Sequence, residues 1–515
     1  MTAPELASIV ALAGGTTYLR NSFISHLRLI TVRVLACGAA TQGNNLEAVA
    51  TLSRTLPLWH GESLVRKRIE TLFWALTIPL LVSAPSPSPS SSAQSSSGFE
   101  IKEWPKNLRT DLKGTSIKVV LPENALDQPW DDALIAKFQQ LTGITVQIVR
   151  PGNDTTVVLA GYLRDFASGS ADADVYAIDI VWPGILSDYA EDLRPAVGGL
   201  PDMLPTLLQN DTVKGKLVAV PYFTEVSLLY YRSDLLQKYH FTQPPLTWSE
   251  LEGQARTIKN GERANGNNLF WGYLWQGAAS EALTCNALEW QMSQGGGQLI
   301  GADGKPSIRR DRFVAAVERA RRWIGALSPP DVTNQLEDDS LQLWKSGNAA
   351  FMRNWPYAYL ESMKDDSSIR YHVGVTVLPM GSGPQGRHAD ILGGFQLMVS
   401  KTSKNKSAAI EMVRFLTSPE IQRVNATTRG YAPTRPGLYF DAAVLKANPF
   451  FGTLRDVLLK GAVTRPSTVA GSRYDDVSKA YFTAVRQTLI GQKSAGTAVQ
   501  ELERELQGLL VSRER

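Results

Sequence analysis

Three carboxylates and a set of aromatic rings are the part of this sequence best suited to hold a ligand. They are Glu123, Asp179 and Glu225, with Trp182, Tyr222, Trp355, Tyr357 and Phe395. A carboxylate accepts two neighbouring hydroxyl protons side by side, and charge-assisted hydrogen bonds are the stronger kind. Flat rings offer apolar platforms, and small-molecule pockets typically combine aromatic walls with a few placed polar groups. Gln396 and Arg473 would add donors. The set suits an uncharged molecule with hydroxyls at its rim and C–H groups on its faces. Read singly, the acids say less: Glu123 serves equally well as a cap or surface charge, and Asp179 as a buried structural carboxylate.

The elements that must position these residues can be read next. Ser116–Leu121, Ile144–Val149 and Asp174–Trp182 read as strands, with helices at Trp130–Leu141 and Val157–Ala167 between them. Strand, helix, strand, helix, strand implies a parallel sheet with covering helices. Ligands collect outside the carboxyl ends of such strands, where Glu123, Asp179 and Trp182 fall. The stretch Ala219–Leu236, AVPYFTEVSLLYYRSDLL, organises the rest. A proline inside a strand pattern argues against one continuous central strand. The stretch is therefore expected to break at Pro221, expose Thr224 and Glu225 in a hinge, and enter a second sheet at Ser227–Tyr231. Ala349–Trp355 reads as a strand delivering Trp355, Pro356 and Tyr357 to a turn. Thr247 and Glu250 are spaced as a capping box. Asp311–Leu327 is an amphipathic helix, and Ala498–Leu510 a charged amphipathic stretch. Trp271, Trp275, Trp290, Trp323 and Trp344 recur on apolar faces and are assigned to the core.

At 515 residues the chain exceeds what one core supports, so two lobes are expected. The first 97 residues hold 7 Lys/Arg against 4 Asp/Glu, leaving 46 against 45 in the remainder. That balance offers no overall field for nucleic acid or an anionic membrane. Arg66-Lys67-Arg68 before the short apolar run Leu72–Val82 has the make-up of an export signal, with cleavage expected near 84 or 93. A Pro/Ser tether follows. Residues 1–65 carry no chemistry and are set apart as an extension or a misplaced start, and an uncleaved membrane anchor is the competing reading. Two cysteines, Cys37 and Cys285, exclude a disulfide framework. The string Gly381–Gly386 spells a dinucleotide fingerprint, but Pro384 and Arg387-His388 make it a loop. No P-loop or zinc spacing occurs, so no cofactor or metal is expected. Glu337-Asp338-Asp339 reads as a solvated turn, and Cys285 as a small buried residue.

Taken in order, DVYAIDIVW, VPYFTEVSLLYYRSDLL, TWSELEGQARTI, GYLWQGAASEALTCNALEW, SGNAAFMRNWPY, LGGFQLMVS and AIEMVRFLTSPEIQRVNATTRGYAPTR resemble the extracellular solute-binding proteins of ABC sugar importers, the maltose- and trehalose-binding type. The resemblance covers roughly residues 115 to 510. It implies a two-lobed α/β periplasmic-binding-protein fold (type II, maltose-binding-like). One lobe would comprise 115–222 with 375–428, the other 228–370 with 430–512, joined by a hinge closing over sugar. It also implies a membrane permease with a separate ATPase subunit, an extracytoplasmic location, a monomer, and no enzymatic activity. The aspartate of DIVW (Asp179), Trp355 and Tyr357 of NWPY, and the GGF stretch Gly393-Gly394-Phe395 match positions where relatives touch ligand. Arg473 and Glu123 match less closely. Two departures bear on which sugar fits: Ala279-Ser280-Glu281 stands where the family often has Tyr before the glutamate of YEGLTC, and Phe395 where many relatives have Trp. The competing class is a secreted glycoside hydrolase using two cleft carboxylates, such as Glu123 and Glu225, as acid and base.

Overall fold

The computed structural model describes residues 103–122, 128–460 and 462–511. The expectations for the export signal, the tether, residues 1–65 and Glu123 lie outside the described residues.

Thirteen strands follow one another along the described chain: β1 Ser116–Val120, β2 Thr145–Val149, β3 Val175–Asp179, β4 Thr212–Val213, β5 Lys216–Leu217, β6 Val220–Val226, β7 Leu228–Arg232, β8 Trp271–Leu274, β9 Gly297–Ile300, β10 Pro306–Ile308, β11 Ala349–Asn354, β12 Val373–Thr376 and β13 Leu392–Val399. Two sheets carry the architecture. The first has the order β2-β1-β3-β13-β6, and the second β12-β7-β11-β8. In the first, β1, β2 and β3 are parallel, as the alternation of strands and helices requires, while β13 runs antiparallel to both β3 and β6. The helices Gln128–Thr142 and Thr155–Ser168 make the crossovers. Asp154 caps the second of these, accepting from the amides of Thr156 and Val157.

The chain passes from the first sheet to the second between β6 and β7, and returns between β12 and β13. This corrects the reading of Ala219–Leu236 in two respects. β6 runs unbroken through Pro221. It is tolerated because β6 is the edge strand and its partner β13 shifts register between Phe395 and Gln396, beside the Pro221 pairing. The change of sheet falls at Ser227, whose amide donates to Ile391 O at 3.0 Å while its hydroxyl accepts from the Ile391 amide at 2.7 Å. Thr224 and Glu225 are buried inside the strand, not exposed in a linker.

β3 stops at Asp179, short of the Trp182 expected from the apolar run. Pro183 opens a single helical turn there and fixes Trp182 as its cap. Around the second sheet, Trp275, Trp290, Trp248 and Trp323 form a chain of tilted and edge-on rings spaced 5.0 to 5.8 Å apart. Such pairs add about 0.5–1.5 kcal/mol each beyond area burial. Trp344 is equally buried, whereas Trp271 is partly buried at the edge of the core, packed beneath Lys259 and Arg263. The Thr247 hydroxyl accepts from the Glu250 amide at 3.2 Å, and Glu250 reaches back to the amide of Leu246 at 2.7 Å. Among the described residues no helix is long and apolar enough to cross a membrane.

Candidate ligand cleft

The carboxyl end of β3, the middle of β6, the start of β13 and the end of β11 converge on one cleft. It encloses about 1150 Å³ of space, counting the part open to solvent. Asp179 is the last residue of β3 and lies opposite Phe395 of β13. Glu225 on β6 lies opposite Gly393, and Thr224 opposite Gly394. Asp179, Trp182, Glu225, Trp355, Tyr357, Gly394 and Phe395 therefore all line the same space.

Two glycines make that convergence possible. Gly394 has φ of +123°, and a Cβ there would come within 2.8 Å of Thr224 Cα. A Cβ on Gly393 would meet the Trp355 ring at 2.9 Å. The indole can thus pack this close to β13 only because that strand is bare at this position. On its other side the Arg353 guanidinium sits 4.1 Å from the ring centroid. Trp355 Nε1 donates to Glu337 Oε1 at 3.2 Å, which fixes the rotation of the ring. Arg353 is wholly buried and forks onto Glu289, with Nε 3.0 Å from Oε1 and 3.2 Å from Oε2.

A second aromatic wall comes from the first sheet. Tyr431 stacks on Phe223 at 3.9 Å between centroids, and Phe223 leans on Phe395 at 5.5 Å. Trp182 meets Tyr162 edge-on at 5.8 Å. Between the walls sits Arg465, 5 % exposed. Its Nη2 donates to Asp179 Oδ1 at 3.1 Å and its Nη1 to Glu281 Oε1 at 2.8 Å. Burial opposes its charge, but Asp179, with Tyr474 and Glu281 behind it, holds the guanidinium protonated. Glu281 is occupied on every side: it also accepts from the hydroxyls of Tyr474 and Ser478. Burial pushes its carboxyl up despite the neighbouring Arg465.

Three expected site residues lie elsewhere. Tyr222 precedes Phe223 on β6, and alternation along a strand turns it to the opposite face, into the core beside Phe223 and Tyr431. Gln396 follows Phe395 and is turned away by the same rule; with its nitrogen oriented inward it donates to Asp211 Oδ2 at 3.1 Å. Arg473 is exposed and pairs with Asp476 at 3.2 Å on its own helical turn. Glu337 and Asp338 are likewise not a solvated turn: they open the helix Glu337–Lys345 at the cleft wall. Arg465, Tyr431 and Phe223 were not singled out from sequence as cleft residues, and Glu281 only as part of the departure Ala279-Ser280-Glu281. The one available signal was Arg465 beside Pro466 at the head of the segment that also holds Arg473.

Comparison with known proteins fits this geometry. The family model for bacterial extracellular solute-binding proteins matches residues 123–423. A probable ABC transporter-binding protein of Deinococcus radiodurans is 43% identical over 367 residues, which is 71% of this chain and 86% of that protein. A maltose-bound MalE3 of T. maritima superposes with a TM-score of 0.73 at 34% identity, over 77% of this chain and 100% of that one. A mannitol-bound solute-binding protein of Agrobacterium vitis shares the fold, with a TM-score of 0.65 at 20% identity over 78% of this chain and 99% of its own. The chain therefore belongs to the bacterial extracellular solute-binding proteins, two-lobed, non-enzymatic carriers that work outside the cytoplasmic membrane as the substrate-binding components of ABC transporters.

Proposed function

We infer that this chain binds a neutral di- or oligosaccharide, an α-glucoside of the maltose or trehalose kind, and hands it to a permease driven by a separate ATPase subunit. The observation that carries this reading is the make-up of the cleft wall. Among the described residues, seven aromatic rings line it (Tyr162, Trp182, Phe223, Trp355, Tyr357, Phe395 and Tyr431) together with six carboxylates and one arginine. Rings stack on sugar faces and carboxylates accept paired hydroxyls. An anionic solute would instead meet a wall where acids outnumber the single cation, and that cation is already shared by Asp179 and Glu281. The maltose-bound relative supports the same class of ligand.

Asp179, Trp182, Glu225, Trp355, Tyr357, Gly394 and Phe395 are the proposed contacts, with Arg465 positioning Asp179. The sheets carrying them are joined through the β6–β7 and β12–β13 crossings. Ligand bridging the lobes would shift the population toward a closed form. The protein acts as a monomer in this reading. The test is to mix the full chain with maltose, trehalose, sucrose and lactose, following melting and free monosaccharide together. Sugar at a hundred times its dissociation constant should add about 2.7 kcal/mol of stability. A melting shift with intact sugar is expected; released monosaccharide would overturn the carrier reading, and no shift with any of the four would overturn the α-glucoside reading.

A further inference from the structure

Behind the cleft lies a second cavity of about 1100 Å³, again counting space open to solvent. Arg465 belongs to the walls of both. Leu288, Leu299, Ile300 and Val463 give the second cavity a buried apolar side, next to the polar Gln298, Thr464 and Thr468. Its mouth carries Arg387, and an adjoining hollow that shares Met292, Gln298 and Arg387 adds Arg309. Among the described residues no Asp or Glu lines either space, whereas six carboxylates line the cleft.

The arginines at the mouth are uncommitted in charge. Arg309 donates to the Gln385 side chain and Arg387 Nε to Met292 O at 3.4 Å. Neither makes an ion pair among the described residues. Arg465 differs, because both of its terminal nitrogens serve the cleft side. Its Nε is buried without a hydrogen-bond partner. Two acids already share that guanidinium, so a further buried anion against it would be unfavourable. Negative charge therefore belongs at the mouth and apolar matter against the buried apolar side.

We propose that this second cavity binds an amphipathic carboxylate. Its head is held by Arg309 and Arg387, and its aliphatic chain lies over Leu288, Leu299, Ile300 and Val463. Charge-assisted pairing at the rim and burial of the chain contribute comparably, so neither a bare carboxylate nor an uncharged chain binds measurably by itself. The site does not depend on which sugar occupies the cleft. Calorimetric titration of the full chain with sodium octanoate should show saturable binding, while acetate and octanol over the same range should show none. Arg387→Gln and Arg309→Gln should each weaken octanoate about tenfold, since a hydrogen bond to a charged group is lost. Phe395→Ala, on the cleft wall and away from Arg465, should leave octanoate binding unchanged, which separates this site from the cleft. Octanol binding as well as octanoate, undiminished affinity in the double arginine variant, or no saturable heat from octanoate would each overturn the proposal.

Discussion

Two buried arginines flank the cleft, and they are held in different ways. Arg353 spends its fork on one partner, Glu289, and both side chains are fully enclosed. Arg465 divides its fork between Asp179, at the end of the first sheet, and Glu281, at the start of the helix Glu281–Ser293. The first arrangement supports a platform: Arg353 packs against the Trp355 ring. The second lines the cleft itself. The same residue type, similarly buried, thus serves rigidity in one place and ligand chemistry in the other, according to whether its carboxylate faces the cleft.

The largest effect should come from breaking the enclosed pair. Glu289→Ala leaves Arg353 charged and buried with only Gln276 Oε1, at 3.3 Å, to accept from it. A loss of about 3–5 kcal/mol in unliganded stability is expected for orphaning a buried charge. Urea unfolding would measure it, and a loss below about 1 kcal/mol would mean the pair behaves like a surface one.

Asp390 lies in the field of the same pair. It follows β12 at the return crossing, and its Oδ1 accepts from the Leu378 amide at 2.7 Å. Burial pushes its carboxyl up to about 7, reinforced by Glu289 and opposed by the Leu378 amide and Arg353. A carboxylate raised in the folded state favours folding fully below its unfolded pKa of about 3.9. That contribution is lost as pH rises through about 7. Asp390→Asn keeps the acceptor and removes the titration. It should therefore stabilise the protein at pH 8 by up to roughly 4 kcal/mol and change little near pH 4, given 1.36 kcal/mol per pKa unit. Equal effects at both pH values would remove Asp390 from the account.

Asp179→Asn tests the other arginine. Arg465 keeps Glu281, so unliganded stability should fall less than in Glu289→Ala. Sugar affinity should drop by about 1.5–3 kcal/mol, the worth of hydrogen bonds to a charged group. Titration of both variants sharpens the contrast: Glu289→Ala is expected to lose mainly stability, and Asp179→Asn mainly binding. The reverse pattern would mean the roles of the two arginines are exchanged.

Much of this arrangement was legible in the sequence, for identifiable reasons. Strand-helix alternation located the parallel half of the first sheet, and the apolar run after Thr224-Glu225 located the entry into the second. Asp179 was legible because strand ends in such sheets face ligand. What escaped depends on side-chain direction and long-range pairing. Tyr222 and Phe223 are adjacent and both aromatic, and only the pairing of β6 with β13 decides which faces the cleft. Arg465 pairs with residues far from it in the chain, which no local pattern encodes. Pro221 was taken for a break because edge position and bulges are properties of the assembled sheet.

The smallest effect expected is also the sharpest check on that last distinction. Arg473 and Arg465 share one short segment, yet Arg473 pairs in solvent with Asp476, one turn along, both nearly half exposed. An exposed pair of this kind is worth about 0–1 kcal/mol. Arg473→Ala should leave unfolding within about 0.5 kcal/mol of the parent and sugar affinity unchanged. Arg465→Met removes the only cation that the described residues place on the cleft wall and leaves Asp179 and Glu281 facing each other without it, so both measurements should move. If Arg473→Ala weakened sugar binding as much as Arg465→Met, the cleft would have to extend over the turn Gly471–Arg473, and the division between a buried, acid-sharing arginine and a solvated one would fail.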